Sequence, residues 1–327
     1  MPELHLAGAY GIQEILDYNA SGETTSWNFP RFFPFRRLLP DVRLSEAGRN
    51  GPTHESVLLV VNLSEKTLDN VEELLPHYGH RVLLQMEAFL GWETAYRQAE
   101  RFDRFINFDP TYASHPGFFR LRLPYDPKWP SSHRDRRGVS ALGLQWRHSK
   151  RALIDLYTWW VRPRRKKAAL ISTLNKGDRY QIRLEVARRW PNHIDVYGGG
   201  WPEYLPNYRG LSVSKLATLR RYSHAIVFEN QRQPGYITEK LLDCLVAGTV
   251  PIYWGAPDVE ENVPAGTLIE LESQDVPIGD ILNDAIDYNR RKTAIHRVKK
   301  DILQRYLPER FFETLKSAIR GGLCTEA

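Results

Sequence analysis

The stretch from Phe228 to Gly255 constrains this chain more tightly than any other part of its 327 residues. It runs from Phe228-Glu229-Asn230 through a polar loop, Gln231 to Gly235, into Tyr236-Ile237-Thr238-Glu239-Lys240. An apolar helical stretch then leads to Gly248 and the short apolar run Val250 to Tyr253. Glycine at 248 suits a left-handed helix cap, because it lacks the Cβ that opposes that conformation. The second half keeps this rhythm: strands at 168–173, 194–197, 225–228 and 250–253 alternate with helices at 179–190, 214–222 and 237–247. Strands alternating with helices imply a parallel sheet. Lys240 falls in the first helical turn, where the helix dipole disfavours a cation. A helix N-terminus is a natural seat for a phosphate, and an anion held there accounts for the lysine. The segment therefore predicts a phosphate-bearing ligand.

The first half also reads as α/β. Val57-Leu58-Leu59-Val60-Val61 is a continuous apolar run, as in a strand covered on both faces. Residues 64–75 have helical spacing, and Val82 to Gln85 is the next strand, which puts Glu87 just beyond its carboxyl end. Open α/β sheets hold their ligands at that edge. Phe105 to Phe108 is another short strand, ending at Asp109. Residues 19–40, rich in aromatics, proline and arginine, read as an irregular loop. A helix over 147–162 is stopped by Pro163 in Arg162-Pro163-Arg164-Arg165-Lys166-Lys167. The expected organisation is an N-terminal domain over 1–163, a C-terminal domain over 164–305, and a closing helix and tail over 306–327.

Composition narrows the partners. With 42% hydrophobic and 26% charged residues the chain can bury one large or two medium cores, its length favouring about two domains, and global disorder is not expected. No apolar run approaches the ~20 residues of a membrane span. The start, Met1-Pro2-Glu3-Leu4-His5, lacks the basic and apolar regions of a signal peptide. Two cysteines, Cys244 and Cys324, exclude a disulfide framework, and Cys244 is expected to be a small buried residue. A cytoplasmic protein is expected, with the inner face of the membrane as a compatible place. The sequons at Asn19 and Asn62 would matter only in a secreted chain. A formal charge of +6 suits an anionic partner: a nucleotide sugar, a phospholipid face or a nucleic acid. No Asp-x-Asp pair or histidine set with ligand spacing occurs, so no metal is predicted.

Phe-Glu-Asn, the loop, Thr-Glu-Lys and the following Gly248-Thr249-Val250-Pro251-Ile252-Tyr253-Trp254-Gly255 resemble the donor-site signature of the family 10 glycosyltransferases, the α-1,3/1,4-fucosyltransferases that use GDP-fucose. Upstream, Lys167 to Thr173, then Arg183, then Asp195-Val196-Tyr197-Gly198 are similar to that family's first donor strand, phosphate arginine and next strand. Gln85 to Ala88, Phe102 to Asp109, and Phe119 through Asp126 resemble the acceptor-domain pattern around the catalytic carboxylate. The likeness spans about residues 82–260. It implies the GT-B fold, two Rossmann-like domains facing a central cleft. It further implies that Arg183, Asn230, Tyr236, Glu239 and Lys240 hold GDP-fucose, with Arg179 an alternative to Arg183 at the diphosphate. Glu239 would accept hydrogen bonds from ribose or fucose hydroxyls. Glu87 would be the general base of one inverting displacement, such help being worth ~10²–10⁴ in rate. Glu93 and Asp109 are its nearby competitors. The acceptor is expected to be a GlcNAc/LacNAc-type glycan, in bacterial-type enzymes often lipid-linked, with Trp27, Phe33 and Trp92 as candidate sugar contacts. Cationic side chains and a helix dipole can stand in for a divalent ion at the diphosphate.

Two rival readings stay open on the sequence. The same fold could use another GDP-hexose on a lipid-linked or lipopolysaccharide glycan. The basic, aromatic cluster at 147–167 could instead mark a nucleic-acid or membrane-surface binding protein. No nucleic-acid recognition module accompanies it. Tryptophan with arginine does suit a membrane interface, so peripheral association is compatible with the sequence.

Overall fold

The alternation of apolar runs and helical stretches resolves, in a computed structural model, into two separate parallel sheets. The structure describes residues 2–8, 11–22, 33–48, 56–89, 91–125, 164–174, 181–212, 214–271 and 277–323. The expected helix at 147–162, Trp27, Arg179 and Cys324 lie outside these residues, and the expected boundary at 163/164 falls at their edge. One compact unit takes the described residues up to 125, Gln233–Tyr236, and those from Arg305 onward. The other takes the described residues between 164 and 232 together with Ile237–Gln304. Helices in chain order are α1 (Ile12–Ser21), α2 (Phe35–Leu38), α3 (Glu65–Leu74), α4 (Glu93–Arg97), α5 (Gln181–Arg189), α6 (Lys215–Leu219), α7 (Glu239–Ala247), α8 (Ile278–Asn283), α9 (Ala285–Arg305) and α10 (Pro308–Leu323).

The first unit is built on β1 (Glu3–Gly8), β2 (Arg43–Glu46), β3 (Ser56–Val61), β4 (His80–Leu84), β5 (Arg104–Asn107) and β6 (Phe118–Arg120). They lie in the order β2-β1-β3-β4-β5-β6, all parallel. Side chains alternate across a strand. Val57, Leu59 and Val61 accordingly join a core with Phe311, Leu315 and Ile319 of α10, while Leu58 and Val60 join one with Val71 and Leu74 of α3. Apolar cover on both sides is why β3 reads as an unbroken apolar run.

The aromatic stretch before β2 departs from the expected loop. Phe33 and Phe35 sit in the α10-side core, with Phe35 beginning α2. Phe33, a candidate sugar contact, is fully buried; its ring stacks on Phe35 at 5.8 Å and meets Phe311 edge-on at 6.4 Å. That assignment is corrected: burying such a ring contributes about 2–3 kcal/mol to the core, and no face is left for a sugar. Asn62 is likewise fully buried at the end of β3, in the left-handed region (φ 53°) that asparagine tolerates, which removes it as a glycosylation acceptor.

The second unit holds β7 (Arg165–Ile171), β8 (Ile194–Tyr197), β9 (Tyr222–Phe228), β10 (Val250–Trp254) and β11 (Ile269–Glu270), parallel and in the order β11-β10-β9-β7-β8. Both sheets thus share one plan. The second strand flanks the first on one side and the third on the other, so the order reverses at β1/β3 and at β7/β9. Ligands of open α/β sheets bind at the carboxyl ends beside such a reversal. Ala168, Leu170, Ile226 and Ile252 form the centre of this unit's core. Helix α7 starts at Thr238, whose Oγ1 accepts the Lys240 N–H at 3.4 Å, and ends at Gly248 with φ 67°. Cys244 is buried as expected, and burial pushes its thiol up to about 12, which leaves it inert at neutral pH. Among the described residues no helix is long and apolar enough to cross a membrane.

His224 on β9 links this core to pH. Its ring is 1% exposed and packs on Tyr288 at 5.3 Å. Burial, helped by Arg291 and opposed by Asp287, lowers it from 6.5 to about 4. Unfolding exposes an imidazole that takes up a proton at higher pH than the folded one does. Its stabilisation is therefore complete above pH 6.5 and is lost as pH falls toward 4, by at most about 3 kcal/mol. Urea midpoints followed from pH 7 to 4 should show this loss in the parent chain and a shallower one in His224→Phe. Parallel profiles would exclude His224 as its source.

Candidate functional site

The amino end of α7 stands at the carboxyl edge of β9, and a buried carboxylate organises it. Glu229, 1% exposed and one residue past β9, accepts the Thr238 N–H at 2.9 Å and the Thr238 hydroxyl at 2.7 Å. It also pairs with the Lys240 ammonium at 3.1 Å, which donates in addition to Thr238 Oγ1 at 3.1 Å. The space is closed behind it: a Cβ on Gly255 would lie 2.7 Å from Glu229 Cγ. The anion that the first-turn lysine calls for is thus present inside the protein. Burial alone would favour a neutral lysine, but Glu229 and Glu239 outweigh it and hold the Lys240 pKa above its ordinary value.

Glu239 is better supported than its sequence context suggests. Lys215, at the start of α6, reaches Asp243 at 2.8 Å and Glu239 at 3.8 Å. Burial opposes ionisation of the Glu239 carboxyl, yet Lys240 and Lys215 hold it below the usual range. Glu239 therefore stands ionised and accepts hydrogen bonds only. Lys215 was invisible to sequence reasoning, because nothing in Ser214-Lys215-Leu216 marks it as the partner of a helix 24–28 residues away.

Arg183 occupies the reversal point of the second sheet. From α5 its guanidinium donates to Thr173 O after β7 at 3.3 Å, and to Phe228 O and Glu229 O at the end of β9 at 3.4 and 3.2 Å. Asn230 Oδ1 lies 3.5 Å away. With the residue 3% exposed, these bonds tie the two strand exits together. The guanidinium expected at a diphosphate is thus anchored at the carboxyl edge of the second sheet. Nearby, Gly198 has φ 129° and passes so close to Ser172 O that a Cβ would sit 1.9 Å from it. Only glycine allows that approach.

In the first unit Glu87 lies three residues past β4, half-buried, in a loop pinned at nearly every residue. The Met86 N–H donates to Asn62 Oδ1 at 2.8 Å, and the Glu87 carbonyl accepts from the Tyr96 hydroxyl at 2.8 Å and Gln85 Nε2 at 3.2 Å. Asn107 Nδ2 holds the Gln85 carbonyl at 2.7 Å. The two rival carboxylates are engaged in other contacts. Asp109 is 4% exposed, with Oδ1 taken by the Thr111 N–H and hydroxyl and Oδ2 by Gln233. Glu93 accepts the Gly91 N–H, which holds its carboxyl below the usual range and makes it a weaker base.

Tyr236 was grouped with the donor residues of the C-terminal domain, but it belongs to the first unit. Gly235, at φ 72°, brings the backbone so close to Phe108 O that a Cβ would lie 2.2 Å from it. The Tyr236 ring then packs on Phe108 at 5.0 Å and clusters with Ala88. Trp92 caps α4 and packs, half-buried, against the α3-side core. Glu87 and Tyr236 therefore share one unit, and Arg183, Asn230, Glu239 and Lys240 share the other.

Known proteins place this arrangement. A family model described as glycosyltransferase family 10 (fucosyltransferase) C-term matches residues 162–277. The chain is 32% identical to the human alpha-(1,3)-fucosyltransferase 4 over 139 residues, 41% of this chain and 25% of that protein. It is 34% identical to the Helicobacter pylori alpha-(1,3)-fucosyltransferase FucT over 96 residues, 28% of this chain and 18% of that protein. The matched stretch thus spans a quarter or less of these relatives. A crystal structure of alpha1,3-fucosyltransferase superposes with TM-score 0.59 at 17% identity, over 98% of this chain and 90% of that one. A second, with GDP-fucose, gives 0.52 at 15% identity, over 97% and 90%. Anabaena HepE in complex with UDP gives 0.56 at 13% identity, over 98% and 100%. These likenesses make the fold GT-B. Residues 162–277, which carry the second sheet, match the family 10 (fucosyltransferase) C-terminal model, so this part of the chain is similar to that family.

Proposed function

We propose that this chain transfers L-fucose from GDP-β-L-fucose to a hydroxyl of a glycan acceptor in a single inverting displacement. The observation that carries the reading is the amino end of α7, where first-turn N–H groups and the charged Lys240 meet at the carboxyl edge of the family 10 domain. The relatives' names and the solved fucosyltransferase with GDP-fucose support the donor, and the names support an α-1,3 linkage.

In this reading the bond from the sugar C1 to the β-phosphate oxygen breaks as C1 joins the acceptor oxygen. The acceptor proton passes to Glu87, and GDP leaves with the bonding pair. Negative charge grows on the diphosphate during that step, and a helix amino end with a fixed ammonium stabilises it. Of the three Lys240 donors, two face Glu229 and Thr238 among the described residues, and a phosphate oxygen takes the third. Asn230, Tyr236 and Glu239 serve donor hydroxyls, and Arg183, tied to the strand exits of the second unit, serves the diphosphate.

Removing one charge-assisted bond costs about 1.5–3 kcal/mol, so Lys240→Ala should weaken GDP binding about tenfold or more in a calorimetric titration at moderate salt. Unchanged affinity would contradict the site. Offering GDP-fucose, GDP-mannose and UDP-glucose with a glycan panel, and following released nucleotide, tests the sugar. Turnover confined to GDP-mannose would favour the rival GDP-hexose reading, and release from none would remove the transferase assignment.

A further inference from the structure

We propose that Gln233 is a positioning residue for Glu87, acting as an amide clamp on the loop that carries it. Four residues of the donor-motif loop, Gln233–Tyr236, belong to the first unit although the chain on either side belongs to the second. Gln233 is 6% exposed there. Its Oε1 accepts the Phe89 N–H at 2.6 Å, and its Nε2 donates to Asp109 Oδ2 at 2.8 Å and to the Tyr96 hydroxyl at 3.3 Å. Tyr96 in turn donates to the Glu87 carbonyl. Burial pushes the Tyr96 phenol well above its ordinary range, so it remains an O–H donor at any working pH. The Glu87 carbonyl and the N–H two residues on are thereby held by one connected set of side chains.

The chemistry demands an amide at this position. A carboxamide presents an acceptor and a donor from one planar end without depending on pH. Here the acceptor meets a main-chain N–H and the donor meets a carboxylate. A glutamate at 233 would keep the first bond and set its charge against Asp109. Alanine would take the acceptor from the Phe89 N–H and leave the buried Asp109 oxygen without its amide donor. Gly235 supplies the close approach that seats the clamp, through its contact with Phe108 O.

The proposal rests on Glu87 being the base, and its test separates the two ideas. Gln233→Glu should lower kcat at least tenfold, with GDP affinity and acceptor KM within about twofold of the parent. Adding Asp109→Asn reverses donor and acceptor across the same contact, and the double variant should recover most of the lost kcat. A single variant with kcat within twofold of the parent, or a double variant with no recovery, overturns the clamp. Independently of activity, the Phe89 amide should exchange its proton at least tenfold faster in Gln233→Ala than in the parent chain. Unchanged protection there also overturns it. A parent chain that transfers no sugar would sink the proposed function alone, with the clamp decided by the exchange rates.

Discussion

Glu87→Gln is expected to bind GDP as the parent chain does and to lose a factor of about 10²–10⁴ in turnover, the usual worth of a positioned general base. Glutamine preserves shape and the main-chain anchors, since Tyr96 and Gln85 hold the Glu87 carbonyl and not its carboxylate. What it cannot do is take a proton from the acceptor hydroxyl. Both neighbours are engaged elsewhere: Asp109 has both oxygens in a buried network, and Glu93 accepts a main-chain N–H that holds its carboxyl below the usual range. The measurement is kcat against GDP affinity on one preparation. Turnover within a few fold of the parent would strip Glu87 of the role, and loss of GDP binding would show that the substitution had disturbed more than a proton transfer.

The second large effect belongs to Glu229. Its carboxylate is fully enclosed and satisfies the Thr238 N–H, the Thr238 hydroxyl and the Lys240 ammonium together. Removing one partner of a buried pair strands the other, at a cost of roughly 3–5 kcal/mol. Lys240 keeps about a fifth of its side-chain surface exposed, so water recovers part of that. Glu229→Gln should therefore destabilise the chain by about 2–4 kcal/mol in urea unfolding. Lys240→Met should also destabilise it, because the carboxylate then loses its cation. The two losses share one contact, so the double variant should cost clearly less than their sum. Strict additivity would mean that the pair contributes nothing as a pair. Since Glu229 also fixes the first turn of α7, the single variant is expected to weaken GDP binding as well.

These two residues show how unevenly the site could be read in advance. The place of Glu87 just beyond an apolar strand was legible, because the strand ends where the apolar run ends, whereas its role as base is proposed. Lys240 was legible as an anomaly, a cation in the first turn of a helix. The inference from that anomaly was incomplete, since a protein carboxylate already answers it. Glu229 sits in the quoted Phe-Glu-Asn, and a charged residue directly after a fully buried strand was the signal that could have exposed it. Arg183 was identified by its likeness to the family's phosphate arginine, but its burial against the carbonyls of two strand ends has no sequence signature. Phe33 was misread because an aromatic among prolines and arginines looks like a surface loop until Phe35 and Phe311 close over it.

What the residue order determined by itself is the succession of elements and the chemistry available at their ends. Val57 to Val61 had to be a strand covered on both faces, and Thr238 to Gly248 a capped helix, because periodicity and capping act over a few neighbouring residues. Tertiary structure alone decided which side chains those ends would meet. Gln233 finds Asp109 and Phe89 at separations of 124 and 144 residues. Whether a buried amide, carboxylate or guanidinium is matched depends on geometry that forms only when such distant segments pack. No local propensity encodes a partner so far along the chain.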